Sequence, residues 1–335
     1  MYSFVLRRCA QLVPTLLGIS LLTFSMIHLV PGDPAQIMLG ERADTASVAA
    51  LRAEMGLDQP LYVQFYRFFA DLLHGDLGRS FRTHEKITTE IAQRFPATFE
   101  LTFFSMVLAV FGGSAAGLVA AARRGKSADY ASMVTATAGI SLPIFWLGLM
   151  LILLLAVYLP LFPISGRQSP HIYFTPHTHF YLLDTLLSGH WQAFANVLWH
   201  LALPTLTLAT IPMAVIARMT RASLLEVLGE DYIRTAWSKG LSEKTILLRH
   251  AFKNAFIPTL TVIALQFGYL LGGAIITETI FSWPGLGRWL FLAVQARDFR
   301  AVQGGVLLLA TLFVLINLLA DILYAWLDPR IRYNK

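Results

Sequence analysis

The chain has 335 residues, of which 56% are hydrophobic and only 14% charged, and its mean hydropathy is +0.60. That balance excludes an ordinary soluble domain and points to an all-α polytopic membrane protein, since about 20 apolar residues rising ~1.5 Å each cross a bilayer. The net charge of +6 calls for no nucleic-acid partner, because membrane topology accounts for it.

Six apolar runs are long enough to span: Cys9–Val30, Thr98–Ala122, Tyr130–Leu159, Leu198–Thr220, Ala255–Ile280 and Gly304–Leu327. The first follows Arg7 and Arg8 but is long for a secretory signal, and no small-x-small cleavage site precedes Pro31. It reads as a retained anchor. Cys9 is the single cysteine, so no intramolecular disulfide forms, and it reads as a small apolar residue at the inner membrane edge.

Residues 31–97 form a long outer segment with helical patterning. Thr45–Met55 has helix composition and stops at Gly56. Pro60 suits a helix start, and Leu61, Phe65, Phe68, Phe69 and Leu72 recur at helical spacing before Gly75. Ile87, Ile91 and Phe95 repeat the pattern as far as Pro96. Such amphipathic stripes serve as packing surface, or as a docking face for an external partner.

Within the third run Pro143 predicts a kink or tilt. The preceding Gly125-Lys126-Ser127 looks like the tail of a phosphate-binding loop, but Ala120 stands where the required glycine would be and no strand precedes it. The centres of the second to fifth runs carry no Asp, Glu, Lys or Arg, and Glu100, Glu278 and Asp321 sit near run ends. An ion-coupled carrier needs ionisable groups inside. Gly113-x-x-x-Gly117 and Gly268-x-x-x-Gly272 predict close helix contacts. Ser141, Thr205, Thr207, Thr210, Gln266 and Asn317 line a polar path or hydrogen-bond between helices. His171, His177, His179 and His190 gather in the outer loop 160–197 without a second ligand motif at defined spacing, so no metal site is expected. Neither HExxH nor GxSxG occurs, which leaves a membrane protease or other enzyme without a catalytic set.

Residues 231–258 are the most informative stretch: a polar, basic segment of 28 residues between two apolar runs, where a membrane turn needs only a few. Asp231 is the expected cap of a short helix ended by Gly240 in a left-handed conformation, and Ser242 the cap of a second helix with Glu243 in its first turn. The product is a helix–glycine–helix elbow at the membrane surface. Farther on, Pro284, Gly285 and Gly287 predict a tight reversal, with Trp283 and Trp289 at the outer interface, as a plain loop or as a gate element.

Charge sets the orientation. With the N-terminus inside, fifteen basic residues fall in cytoplasmic segments and four in the two short outer loops (Arg167, Arg288, Arg297 and Arg300). Both termini and the elbow are therefore expected in the cytoplasm.

The elbow resembles the EAA loop of permease subunits in ATP-binding-cassette (ABC) importers. The matching residues are Glu230-Asp231-Tyr232-Ile233-Arg234-Thr235-Ala236, Lys239-Gly240-Leu241, His250-x-x-x-Asn254-Ala255 and Pro258. Arg234-Thr235-Ala236 stand where the general motif has Glu-Ala-Ala, and the Gly240-to-Pro258 gap is longer. Both departures look like the branch handling dipeptides, oligopeptides, glutathione and nickel. Pro31-Gly32-Asp33-Pro34, Gly56-Leu57-Asp58-Gln59-Pro60, His74-Gly75-Asp76-Leu77-Gly78, Glu278 to Arg288 and Asp328-Pro329-Arg330-Ile331-Arg332 extend the likeness over nearly the whole chain, closest to dipeptide permeases.

The resemblance implies a type I importer permease with six transmembrane helices and cytoplasmic termini. Residues 1–97 would be the first helix plus outer segment, 98–327 a five-helix core with coupling loop 222–254, and 328–335 a tail. It implies a second homologous permease, two ABC ATPase subunits, an extracytoplasmic binding protein and membrane lipid as partners. ATP and Mg would be used by the ATPases, with no cofactor on this chain. Asp231, Tyr232, Arg234, Thr235, Ala236, Lys239, Gly240, Leu241, His250, Asn254 and Pro258 would couple to the ATPase, with Ala236 and Gly240 small against a partner groove. Gln266, Glu278, Trp283, Pro284, Gly285 and Gly287 would line a gate or path. Dipeptides are the implied cargo, ahead of glutathione, D-amino-acid dipeptides, haem or nickel. A secondary carrier is the runner-up.

Overall fold

The computed structural model describes residues 2–29, 33–40, 43–54 and 56–327. The motif residues Pro31 and Gly32 and the tail 328–335 with Asp328-Pro329-Arg330-Ile331-Arg332 lie outside them, as do the surroundings of the Cys9, Gly272 and Asp321 side chains. The described residues are helical throughout, joined by turns and loops, with only an isolated bridge between Arg79 and Lys86.

Helix α1 (Tyr2–Leu29) is followed by α2 (Pro34–Leu39), α3 (Thr45–Glu54) and α4 (Leu61–Leu73). The Asp33 side chain caps α2 at the Ala35 N–H, 3.1 Å away. Ahead of α3, the Ser47 side chain and N–H hold the Asp44 carboxyl below its usual pKa. Gly56 and Gly75 end their helices at φ +68° and +73°, where the sequence places the stops. The aromatic stripe of α4 turns to α1: Phe65 and Phe68 lie 5.3 and 5.9 Å from the Phe24 ring.

Helix α5 (Ile87–Ala122) runs straight through Pro96, so the expected stop there does not occur. Proline loses one helical hydrogen bond. Packing compensates, because Ile87 and Ile91 are buried against Leu286, Trp289 and Leu290 on one side of it and Ala97 and Leu101 are buried on the other.

The third run divides at Pro143 into α6 (Ser127–Ser141) and α7 (Ile144–Leu151), the latter extended by the wide turn Ile152–Tyr158. The two halves meet at 105°. This is a break where a kink or tilt is expected. Pro143 removes an N–H and holds Leu142 extended at ψ 130°, which ends α6.

After α8 (Tyr181–Leu187), helix α9 (Trp191–Val227) packs along α5 as the central pair. Gly113 and Gly117 make that approach possible: an added Cβ would stand 2.5 Å from the Met213 and Ala217 carbonyl oxygens. Past the elbow come α12 (Phe252–Gly273), α13 (Ile275–Ile280), α14 (Leu286–Gln295) and α15 (Phe299–Leu327), with α12 resting on α9, α15 and α5. Gly268 sits against the Phe313 ring of α15. Among the described residues, three helices are long and apolar enough to cross a membrane, or up to four if the bent α6–α7 pair counts as one span.

Candidate functional site

The elbow folds from its own sequence signals and is then locked down by packing. Helix α10 (Asp231–Ser238) starts after Glu230, so Asp231 lies in its first turn and not at the cap. There its charge faces the positive end of the helix dipole. Gly240 ends the helix at φ +75°, and nothing lies within 4 Å of where its Cβ would be. Glycine is therefore required by the backbone angle, and not by a lack of room within this chain. Ser242 precedes α11 (Glu243–Thr245), its hydroxyl 2.9 Å from that of Thr245. The chain continues through the wide turn Ile246–Ala251 into α12.

Ile233 and Ala236 point inward and join Ala121 of α5, Leu224 of α9, and Ile246, Ala251 and Ala255 in one cluster. Ala236 is only 7% exposed, so it does not form part of an outward face as expected. The periodicity of α10 decides this, since positions 233 and 236 share a face. The Asn254 amide donates to the Tyr232 hydroxyl at 2.8 Å, which closes the elbow across 22 residues. Asp231, Tyr232, Arg234, Thr235, Lys239 and Gly240 are exposed, Leu241 and His250 are half-buried, and Pro258 lies inside α12.

Trp237 is 50% exposed on the same surface and belongs with these residues, although the sequence reading passed over it. The available signal was an indole in a polar helix too short to bury it. A second omission is the two-pronged ion pair by which Arg221 of α9 holds Asp129 of α6, at 2.6 and 2.8 Å. It ties the α5–α6 turn to the base of the elbow.

About 35 Å away along α5, at ~1.5 Å per residue, the reversal after α13 is built around Glu278. This carboxylate is fully buried, accepting from the Thr98 hydroxyl at 2.6 Å and the Arg288 N–H at 2.8 Å. Thr98 Oγ1 also accepts the Leu286 N–H at 2.8 Å. The first turn of α14 is thus capped from α5 and α13. An added Cβ on Gly285 would fall on the Glu278 carboxylate, and one on Gly287 would lie 2.7 Å from Ile275 Cα. The left-handed residue of the reversal is Ser282 at φ +49°, while Pro284 is exposed.

Trp283 and Trp289 are buried, which overturns their expected place at the outer interface. Their indole N–H groups find partners inside, Ala97 O at 2.9 Å and Glu90 Oε2 at 3.0 Å. Close by, Glu100 forms a buried ion pair with Arg167 at 2.6 Å.

The supposed polar path is mostly local. Ser141, Thr207 and Thr210 donate to the carbonyls four residues back on their own helices. Thr205 Oγ1 and Gln266 Oε1 are buried without a hydrogen-bond partner among the described residues. In the loop 160–197, the backbone N–H groups of His177 and Thr178 bind Asp184, and no group of three metal-ligating side chains occurs among the described residues.

Residues 113–333 match the family of binding-protein-dependent transport system inner membrane components, and residues 1–102 its N-terminal companion family. The chain is 49% identical to the dipeptide transport system permease protein DppB of Escherichia coli strain K12, with all of both chains covered. It is likewise 49% identical to the di/tripeptide permease protein of Pseudomonas aeruginosa, again over all of both. Identity to the glutathione permease protein GsiC of Escherichia coli O6:H1 is 43%, also over the full length of each. With a helical architecture among the described residues, long apolar helices and two family matches that together cover nearly every residue, this protein belongs to the binding-protein-dependent transport system inner membrane components.

Proposed function

We propose that this chain is the permease subunit of an ABC importer for dipeptides, crossing the membrane six times with both termini in the cytoplasm. Dipeptide cargo is favoured by the relatives named for dipeptides at 49% identity against 43% for the glutathione protein. A second related permease encloses the path with it, two ATPase subunits use ATP and Mg, and an external binding protein delivers the peptide. Lipid surrounds the apolar helices.

The observation that carries this reading is the elbow itself. Its outward face offers Tyr232, Arg234, Trp237 and Lys239, a mix of aromatic and basic groups suited to a protein interface. Its inward face is packed on α5, α9 and the start of α12. A push on α10 therefore moves the cytoplasmic ends of three long helices as one body, and α5 carries the displacement to Ala97 and Thr98, which hold the outer reversal. Glu278, Pro284, Gly285 and Gly287 act in that gate. Gln266, like Thr205, is a path candidate with an unused buried oxygen.

Buried Glu100 and Glu278 give the secondary-carrier reading its one point of support. Each is tied to structure, Glu100 by Arg167 and Glu278 by the capping of α14. The test is uptake of labelled Ala-Ala into vesicles holding the complete transporter. Import should need ATP on the elbow side and the binding protein on the other. Import by this chain alone, driven by a proton or sodium gradient, would show the proposal to be wrong.

A further inference from the structure

We infer that Arg167 is a positioning residue of the outer gate, tying the loop ahead of α8 to the same turn of α5 that holds the reversal after α13. Its Nη2 donates to Glu100 Oε2 at 2.6 Å and to the His179 carbonyl at 2.9 Å. The guanidinium lies 3.7 Å from the centre of the Tyr181 ring and 5.8 Å from that of Trp283. The other Glu100 oxygen accepts the Leu182 N–H at 2.9 Å, and the Gly166 N–H donates to the Phe281 carbonyl at 2.9 Å. Ala97 and Thr98, on the same turn as Glu100, hold Trp283 and Glu278. One helical turn thus grips both outer loops, and Arg167 touches each of them.

Stability alone does not explain the arrangement. Replacing a buried ion pair with apolar groups of similar volume is often neutral or favourable, and an unmet buried donor is costly. Arg167 Nε is such a donor, buried without a hydrogen-bond partner among the described residues. The guanidinium is held by ties on one edge only, which suits a contact that must part. The two loops then release and close together.

This inference rests on the importer reading. Its test uses the complete transporter in vesicles, measuring peptide imported per ATP, hydrolysis without binding protein, and thermal unfolding. Arg167→Gln and Glu100→Gln should each lower peptide per ATP about tenfold and raise receptor-independent hydrolysis, as expected for a shifted gate equilibrium. The double variant should be no worse than either single one. Arg167→Lys keeps the charge and should restore part of the coupling.

A lowered unfolding temperature with unchanged peptide per ATP would mean a purely structural role, and additive losses would sever the pair; either outcome overturns the proposal. Should Arg167→Gln not fold, Tyr181→Leu removes the ring beneath the guanidinium and leaves the ion pair. Reduced coupling there supports the inference and normal coupling refutes it. A wild-type complex that neither hydrolyses ATP nor imports peptide would instead defeat the functional reading beneath it.

Discussion

Thr98 uses one hydroxyl twice, donating to Glu278 and accepting the Leu286 N–H. Thr98→Val keeps the shape but leaves a buried carboxylate oxygen and a buried N–H without that partner, which costs about 1–3 kcal/mol. Thermal unfolding should show this loss, and Thr98→Ser should recover most of it; a Val variant as stable as wild type would contradict the capping role. Gly285→Ala drives a methyl into the Glu278 carboxylate and should destabilise by about 1–3 kcal/mol. Gly18→Ala, with open space around it, is the control and should stay within about 0.5 kcal/mol. At this scale the sequence was legible by type more than by contact. Glu278 and Gly285 stood out as gate residues, but their collision course depends on how the intervening reversal folds. The two tryptophans were misplaced because an indole next to a membrane edge has two solutions, lipid headgroups or an internal acceptor, and local sequence does not say that Ala97 O and Glu90 are within reach.

Helices and their breaks depend on local chemistry except where tertiary packing overrides it. Gly56, Gly75 and Gly240 end helices where expected because a left-handed residue is a local requirement. Pro143 breaks a helix and Pro96 does not, and the difference is in the company: Pro96 is flanked by buried side chains on both sides, whereas α6 has few. The elbow was readable as two short helices around a glycine. Its inward packing was not, which is why Ala236 was expected on the wrong face. Two substitutions separate the faces. Ile233→Ala opens a hole in the cluster with Leu224 and Ile246 and should cost about 2–5 kcal/mol, seen as faster hydrogen exchange across residues 231–251. Trp237→Ala should leave that exchange unchanged and weaken ATPase binding by about 1–2 kcal/mol or more. Equal ATPase affinity in both the variant and wild type would remove Trp237 from the interface.

On the scale of the whole molecule, the proposed function makes α5 a rod, with the elbow as its handle and the reversal after α13 as its clasp. Helix α5 carries Ala121 into the elbow cluster and brings Thr98 to the reversal after α13 and Glu100 to the loop ahead of α8. The composition made the membrane class plain, and charge asymmetry gave an orientation. The number of crossings is harder to read, since α6 and α7 meet at 105° where the sequence shows one continuous apolar run. The most direct test of the handle-and-clasp account is the number of peptides imported per ATP hydrolysed by the complete transporter carrying Gly240→Val. A β-branched residue at φ +75° distorts the elbow at a cost of about 1–3 kcal/mol while the rest of the chain still inserts. The account predicts continued hydrolysis with import per ATP reduced by about tenfold, the effect of ~1.4 kcal/mol lost from coupling. An unchanged ratio in a correctly inserted variant would contradict it.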